Sequence, residues 1–170
     1  SELEVFYRLS SRLPLSATLA PPPLSTAPQG QAKGLWRHTC LEAFVSHPGD
    51  RAYVEFNGSP NQQSDVFIFQ DERRNAEGLT TSDDILPSCS RTAEWQWFYQ
   101  QHEHQALAKW QVQLASLEGI TPTQAIEYNI TAVIELTTGE YCYLALTHCR
   151  PAPDFHARAA LAFKTHYVDV

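Results

Sequence analysis

The stretch HTCLEAFVSHPGDRAYVEFNGSPNQQSDVFIFQ, residues 38–70, decides the fold. It holds three runs rich in β-branched and aromatic residues, 38–46, 52–57 and 65–70, separated by His47-Pro48-Gly49-Asp50 and Gly58-Ser59-Pro60-Asn61. Proline and glycine at those junctions close turns, and each run is too short for a helix. Three strands joined by two consecutive hairpins, hence antiparallel, are the expectation. Alternation also sorts their faces, because side chains two apart along a strand point the same way. Glu42, Glu55 and Asn57 share one face, and Leu41, Ala43, Val45, Val54 and Phe56 share the other.

Working outward, Leu3, Val5, Tyr7 and Leu9 repeat every second residue and predict a first strand. Residues 14–33 carry Pro21, Pro22, Pro23 and Pro28 among small residues, which suits an extended surface connection. Residues 71–90 are polar and read as a long loop. Beyond them, Trp95, Trp97 and Tyr99 fall on one face of a strand over 94–100, and Ala108, Trp110, Val112 and Leu114 on one face of a strand over 107–114. A helix over 93–117 is the competing reading. Residues 125–136 and 140–148 flank Thr137-Thr138-Gly139, a short hairpin connection, and a last strand is expected over 160–166. Eight or nine short strands without βαβ alternation predict an all-β, antiparallel β-sandwich of two packed sheets, in the manner of immunoglobulin-like or jelly-roll folds.

At 170 residues and 43% hydrophobic content, one domain spanning 1–170 with one sizeable core is expected. The formal charge is −7 and no Lys/Arg cluster stands apart, so nucleic acid and anionic membranes are not expected partners. No run of about 18 apolar residues suggests a membrane span. Cys40, Cys89, Cys142 and Cys149 show no C-x-x-C pair, which suits free thiols in a soluble cytoplasmic protein.

Three blocks carry a family resemblance. Leu35-Trp36-Arg37-His38-Thr39-Cys40-Leu41-Glu42-Ala43-Phe44 is similar to the L-W-x-H-T-C-F-E-x-F signature of bacterial DOMON-like proteins. Tyr53-Val54-Glu55-Phe56-Asn57 with Ser59-Pro60 resembles that group's Y-x-E-F-N-x-S-P block, and Ala145-Leu146-Thr147-His148 through Pro153-Asp154-Phe155-His156 resembles its A-L-x-H…P-D-F-H ending. The resemblance implies a sandwich of eight to ten strands, related to family-nine carbohydrate-binding modules and to haem-binding DOMON domains. It implies a ligand-binding module without established catalysis. Two departures stand out: Gly58 replaces a commonly bulky residue, and residues 61–64 lack an expected glycine and tryptophan. The haem-binding relatives use a Met/His axial pair, which a chain without methionine cannot supply.

The candidate chemistry follows from these residues. Glu42, Glu55 and Asn57 could hold sugar hydroxyls, or could pair with Arg37, Arg51 or backbone donors. Trp36, Trp95, Trp97, Tyr99 and Trp110 offer flat faces for sugar rings, or serve as core. His38, Cys40, His148, Cys149 and His156 concentrate potential metal ligands at no recognised spacing. Asp71, Glu72, Asp83 and Asp84 could ligate calcium but lack a calcium-loop pattern. The expected ligand-contacting set is Trp36, Arg37, His38, Glu42, Glu55, Asn57, His148, Asp154 and His156. The expected ligand is a saccharide or related small molecule, with no cofactor. Alternatives are a haem or redox module, and an enzyme using Glu42 with Glu55 or His38 with Asp154.

Overall fold

Alternating sequences settle as strands wherever one parity can be buried, and here every ladder is antiparallel. The computed structural model describes residues 2–24, 34–74, 78–80, 88–89, 94–117, 120 and 125–165. In chain order the strands are β1 (Glu2–Ser10), β2 (Cys40–Ser46), β3 (Tyr53–Gly58), β4 (Ser64–Phe69), β5 (Ser88–Cys89), β6 (Glu94–Gln101), β7 (Gln105–Gln113), β8 (Ile126–Glu135), β9 (Tyr141–Ala145) and β10 (Phe163–Thr165). A small sheet runs β1-β7-β6 and a large one β10-β8-β2-β3-β4-β5, with β9 also on β8. Because β2 occupies one edge of β8, β9 and β10 share its other edge, end to end. The fold is the expected all-β sandwich. No helix among the described residues is long and apolar enough to cross a membrane.

Between the sheets lies the main core. Leu41, Ala43, Val45, Val54, Phe56 and Val66 meet Val5, Trp97, Ala106, Ala108, Trp110 and Val112. Trp110 is fully buried at the centre, 5.0 Å from Trp97 and 5.6 Å from Phe56 between ring centroids, and its Nε1–H donates to Leu41 O at 3.3 Å. That bond satisfies the indole's polar atom, which would otherwise be costly so deep in the protein. The opposite face of the large sheet is also buried. Cys40, Phe44, Tyr53, Phe67, Phe69 and Val133 pack there under Leu35, Phe155 and Leu161. The molecule thus has three layers: small sheet, large sheet, and a cap built from the turn Leu35–Arg37 and residues 148–161.

Several expectations need correction. The helical alternative over 93–117 loses to the β6–β7 hairpin, whose two-residue alternation buries Trp97, Ala106, Ala108, Trp110 and Val112 against the large sheet. Leu15–Thr18 forms one helical turn within the stretch read as extended, because Leu15 and Leu19 reach the core. β2 starts at Cys40, not His38, since His38 terminates the preceding 3-10 turn with its N–H on Leu35 O. The last strand is shorter than expected: residues 158–160 turn so that Ala160 and Leu161 are buried, and β10 begins at Phe163. The stretch read as a loop contributes β5 to the large sheet.

Candidate functional site

On the capped face, register brings polar residues of four strands into one row. Thr131 of β8 lies opposite Glu42 of β2, Glu42 opposite Asn57 of β3, and Asn57 opposite Asp65 of β4. All four are at most 2% exposed. Glu55 lies one row along, between Phe44 and Phe67, with Asn129 beyond Phe44.

The row is linked by short bonds. Thr131 Oγ1 donates to Glu42 Oε2 at 3.0 Å, Asn57 Nδ2 to Glu55 Oε1 at 2.7 Å, and the Cys40 thiol to Asn57 Oδ1 at 3.3 Å. Burial, and secondarily the Glu55 charge, pushes the Glu42 carboxyl up to about 8, against the pull of the Thr131 hydroxyl. Burial likewise pushes Glu55 up to about 7, although Asn57 and Arg73 oppose it. Two carboxyls in one dry site cannot both ionise cheaply, so protons are retained near neutrality. The same burial, with the two glutamates, raises the Cys40 thiol, which leaves it a small core residue and a poor nucleophile.

The cap closes this row from above. His156 lies against Phe44, Tyr53 and Phe69, with ring centroids 5.1–6.0 Å away. Burial, then the Arg73 charge, lowers its pKa to about 3, so the ring is neutral. Tyr53 Oη accepts the Arg73 backbone N–H at 3.2 Å and is hydrogen-bonded to His156 Nδ1 at 2.7 Å. His156 Nε2 faces Glu55 Oε2 across 3.9 Å, too far for a hydrogen bond. Trp36 meets Phe67 edge-on at 5.8 Å and walls the row near Glu55.

Of the expected set, Glu42, Glu55, Asn57 and His156 come together, with Trp36 at the border. The remaining four residues lie apart from the row. Asp154 accepts from Arg73 at 3.0 Å and pairs with Arg150, fastening the cap. His38 pairs with Glu135 at 2.8 Å and Asp154 with Arg73 and Arg150, so the two are not joined as a pair. His148 is exposed beside Phe155, and the Arg37 carbonyl receives the Tyr141 hydroxyl. Arg51 serves Asp71 and not the glutamates. Trp97 and Trp110 are core, while Trp95 and Tyr99 pack at its margin. No group of three metal-ligating side chains occurs among the described residues. Of the acidic-loop residues considered for calcium, Asp71 and Glu72 are ion-paired with arginines, and Asp83 and Asp84 lie outside the described residues. Thr131, Asn129, Asp65 and Tyr53 went unanticipated. Their strands were legible, but nothing local states that β8 lies beside β2.

No family model and no curated protein matches the chain. Among solved structures, a candidate carbohydrate-binding protein from Bacteroides uniformis ATCC 8492 superimposes with a TM-score of 0.57 at 16% identity, over 93% of this chain and 70% of that one. The two chains share a fold. At that identity the likeness concerns architecture alone.

Proposed function

We propose that the domain is a non-catalytic binding module for a saccharide or a similarly hydroxyl-rich small molecule, held between the large sheet and its cap. The carrying observation is the row of carboxyl, amide and hydroxyl groups gathered under the cap. Glu42 and Glu55 bring two carboxyl groups that keep protons near neutrality beside the Asn57 amide and the Thr131 hydroxyl, so the row offers both donors and acceptors to hydroxyl groups. The Arg73 guanidinium, whose charge also reaches Glu55, hydrogen-bonds Asp154. A polyol bonds to groups of that kind, and Trp36, half-buried at the border, supplies a ring beside them. The DOMON-like sequence blocks and the carbohydrate-binding assignment of the Bacteroides protein support the same reading.

Thermal shift with a broad panel of mono- and oligosaccharides tests it. At least one sugar should raise the melting temperature, and Trp36→Ala, at a half-buried position, should weaken that rise. A panel without any effect, with Trp36→Ala equally unresponsive, removes the proposal. A second reading, proton-transfer catalysis, draws on the raised pKa values of the Glu42/Glu55 pair. It requires turnover of the bound sugar that Glu55→Gln abolishes while binding persists.

A further inference from the structure

We infer that residues 148–156 form a detachable cover over the polar row, locked from outside by the ion cluster on Asp154. The bearing of this on ligand entry rests on the binding reading above, while the opening itself does not.

Three observations carry the inference. First, among the described residues no backbone–backbone hydrogen bond ties 148–156 to another element, and the turn at 155–156 is local, so side chains attach this segment to the rest. Segments with few such bonds open locally at far lower cost than the whole fold. Second, its inner and outer attachments differ in kind. Inside, Phe155 and His156 plug the aromatic pocket made by Phe44, Tyr53 and Phe69. Outside, Arg73 and Arg150 converge on Asp154, and Arg150 also reaches Glu72 at 2.7 Å. Both arginines are nearly half exposed, so water and salt weaken the outer lock while leaving the inner plug dry. Third, what lies beneath is polar. Withdrawing His156 uncovers Glu55 and, through it, Asn57 and Glu42, groups for which water or a hydroxyl ligand can substitute directly. An apolar floor would resist that exposure. Beyond the segment, Arg158 is anchored to Glu127 and to the carbonyls of His47 and Asp50, so the chain is held where the cover ends.

Cys40 provides a readout that needs no ligand. It is fully buried in the same cluster as Phe155, whereas Cys142 and Cys149 are exposed and act as internal standards. The native protein is treated with iodoacetamide, and alkylation is quantified at the Cys40 peptide by mass spectrometry. Asp154→Asn and Arg150→Gln should each speed Cys40 alkylation about tenfold relative to the standards. Salt at about 1 M should speed it in the native chain. Lys109→Gln, which removes an ion pair with Glu4 on the small sheet, should change nothing. If Cys40 in both lock variants reacts at the native rate, or no faster than measured global unfolding permits, the cover does not exist. An opening cover in a protein that no sugar stabilises would sustain this inference and defeat the binding reading. A sugar that binds while Cys40 stays unreactive in every variant would do the reverse.

Discussion

A methyl group placed on Gly58 would lie 2.6 Å from the Trp97 ring, closer than any carbon tolerates. Trp97 is laid flat on that glycine, with its Nε1–H on Ser59 O at 3.0 Å. The space a side chain at position 58 would fill is therefore occupied by an indole from the other sheet. Gly58→Ala should destabilise the fold by about 1–3 kcal/mol, the usual cost of overpacking, as read by urea denaturation. The glutamates make a second prediction at this scale. With pKa values raised from 4.5 to about 8 and about 7, Glu42 and Glu55 keep protons in the folded chain that the unfolded chain has released. The folded state then binds more protons than the unfolded one, so stability is highest below about pH 4.5 and declines as pH rises through 7 and 8. The melting temperature should drop over that interval, and Glu42→Gln should flatten the drop. An unchanged slope in the variant would mean that Glu42 is ionised throughout. Asn57-Gly58-Ser59 and Asn129-Ile130-Thr131 match the N-glycosylation pattern, but both asparagines are 0% exposed, so neither can carry a glycan in the folded chain.

At the scale of elements, β9 is conspicuous. Every residue from Tyr141 to Leu144 is exposed, the run to Leu146 bears no charge, and only one edge of the strand is paired among the described residues. Uncharged apolar edges invite a second chain. Leu144→Lys should therefore lower self-association in sedimentation velocity while changing stability by about 0.5 kcal/mol or less. Elements also differ in how plainly the sequence announces them. β2, β3, β4 and β8 were legible because one parity is apolar and the other polar or aromatic, so period two is unmistakable. Over 93–117, mixed Trp, Gln, Ala and Leu satisfy either period locally, and the facing sheet decides. The cap was illegible for another reason. Phe155 and His156 have no pattern of their own, and their partners Phe44, Tyr53 and Phe69 lie over 80 residues earlier. The glutamates and Asn57 could be placed on one face from parity alone, but the row they form with Thr131 and Asp65 needs strand order, which parity does not contain.

At the scale of the molecule, the large sheet is covered on both sides, and that explains why β2, β3 and β4 are buried at every position. Among the described residues the small sheet is covered once. Its outer face shows Phe6 and Phe98 flanking Lys109, whose ammonium sits 5.8 and 5.4 Å from the two ring centres. Within that sheet β1 has a single partner, and the register runs from Glu2 opposite Gln113 to Ser10 opposite Gln105. A ribosome adding about 5–20 residues per second leaves β1 without its mate for several seconds or more after it emerges, carrying Leu3, Val5 and Phe6 into solution. A strand made about a hundred residues ahead of its mate is thus seated late, and the β2–β4 hairpins, closed over short turns, can form before it.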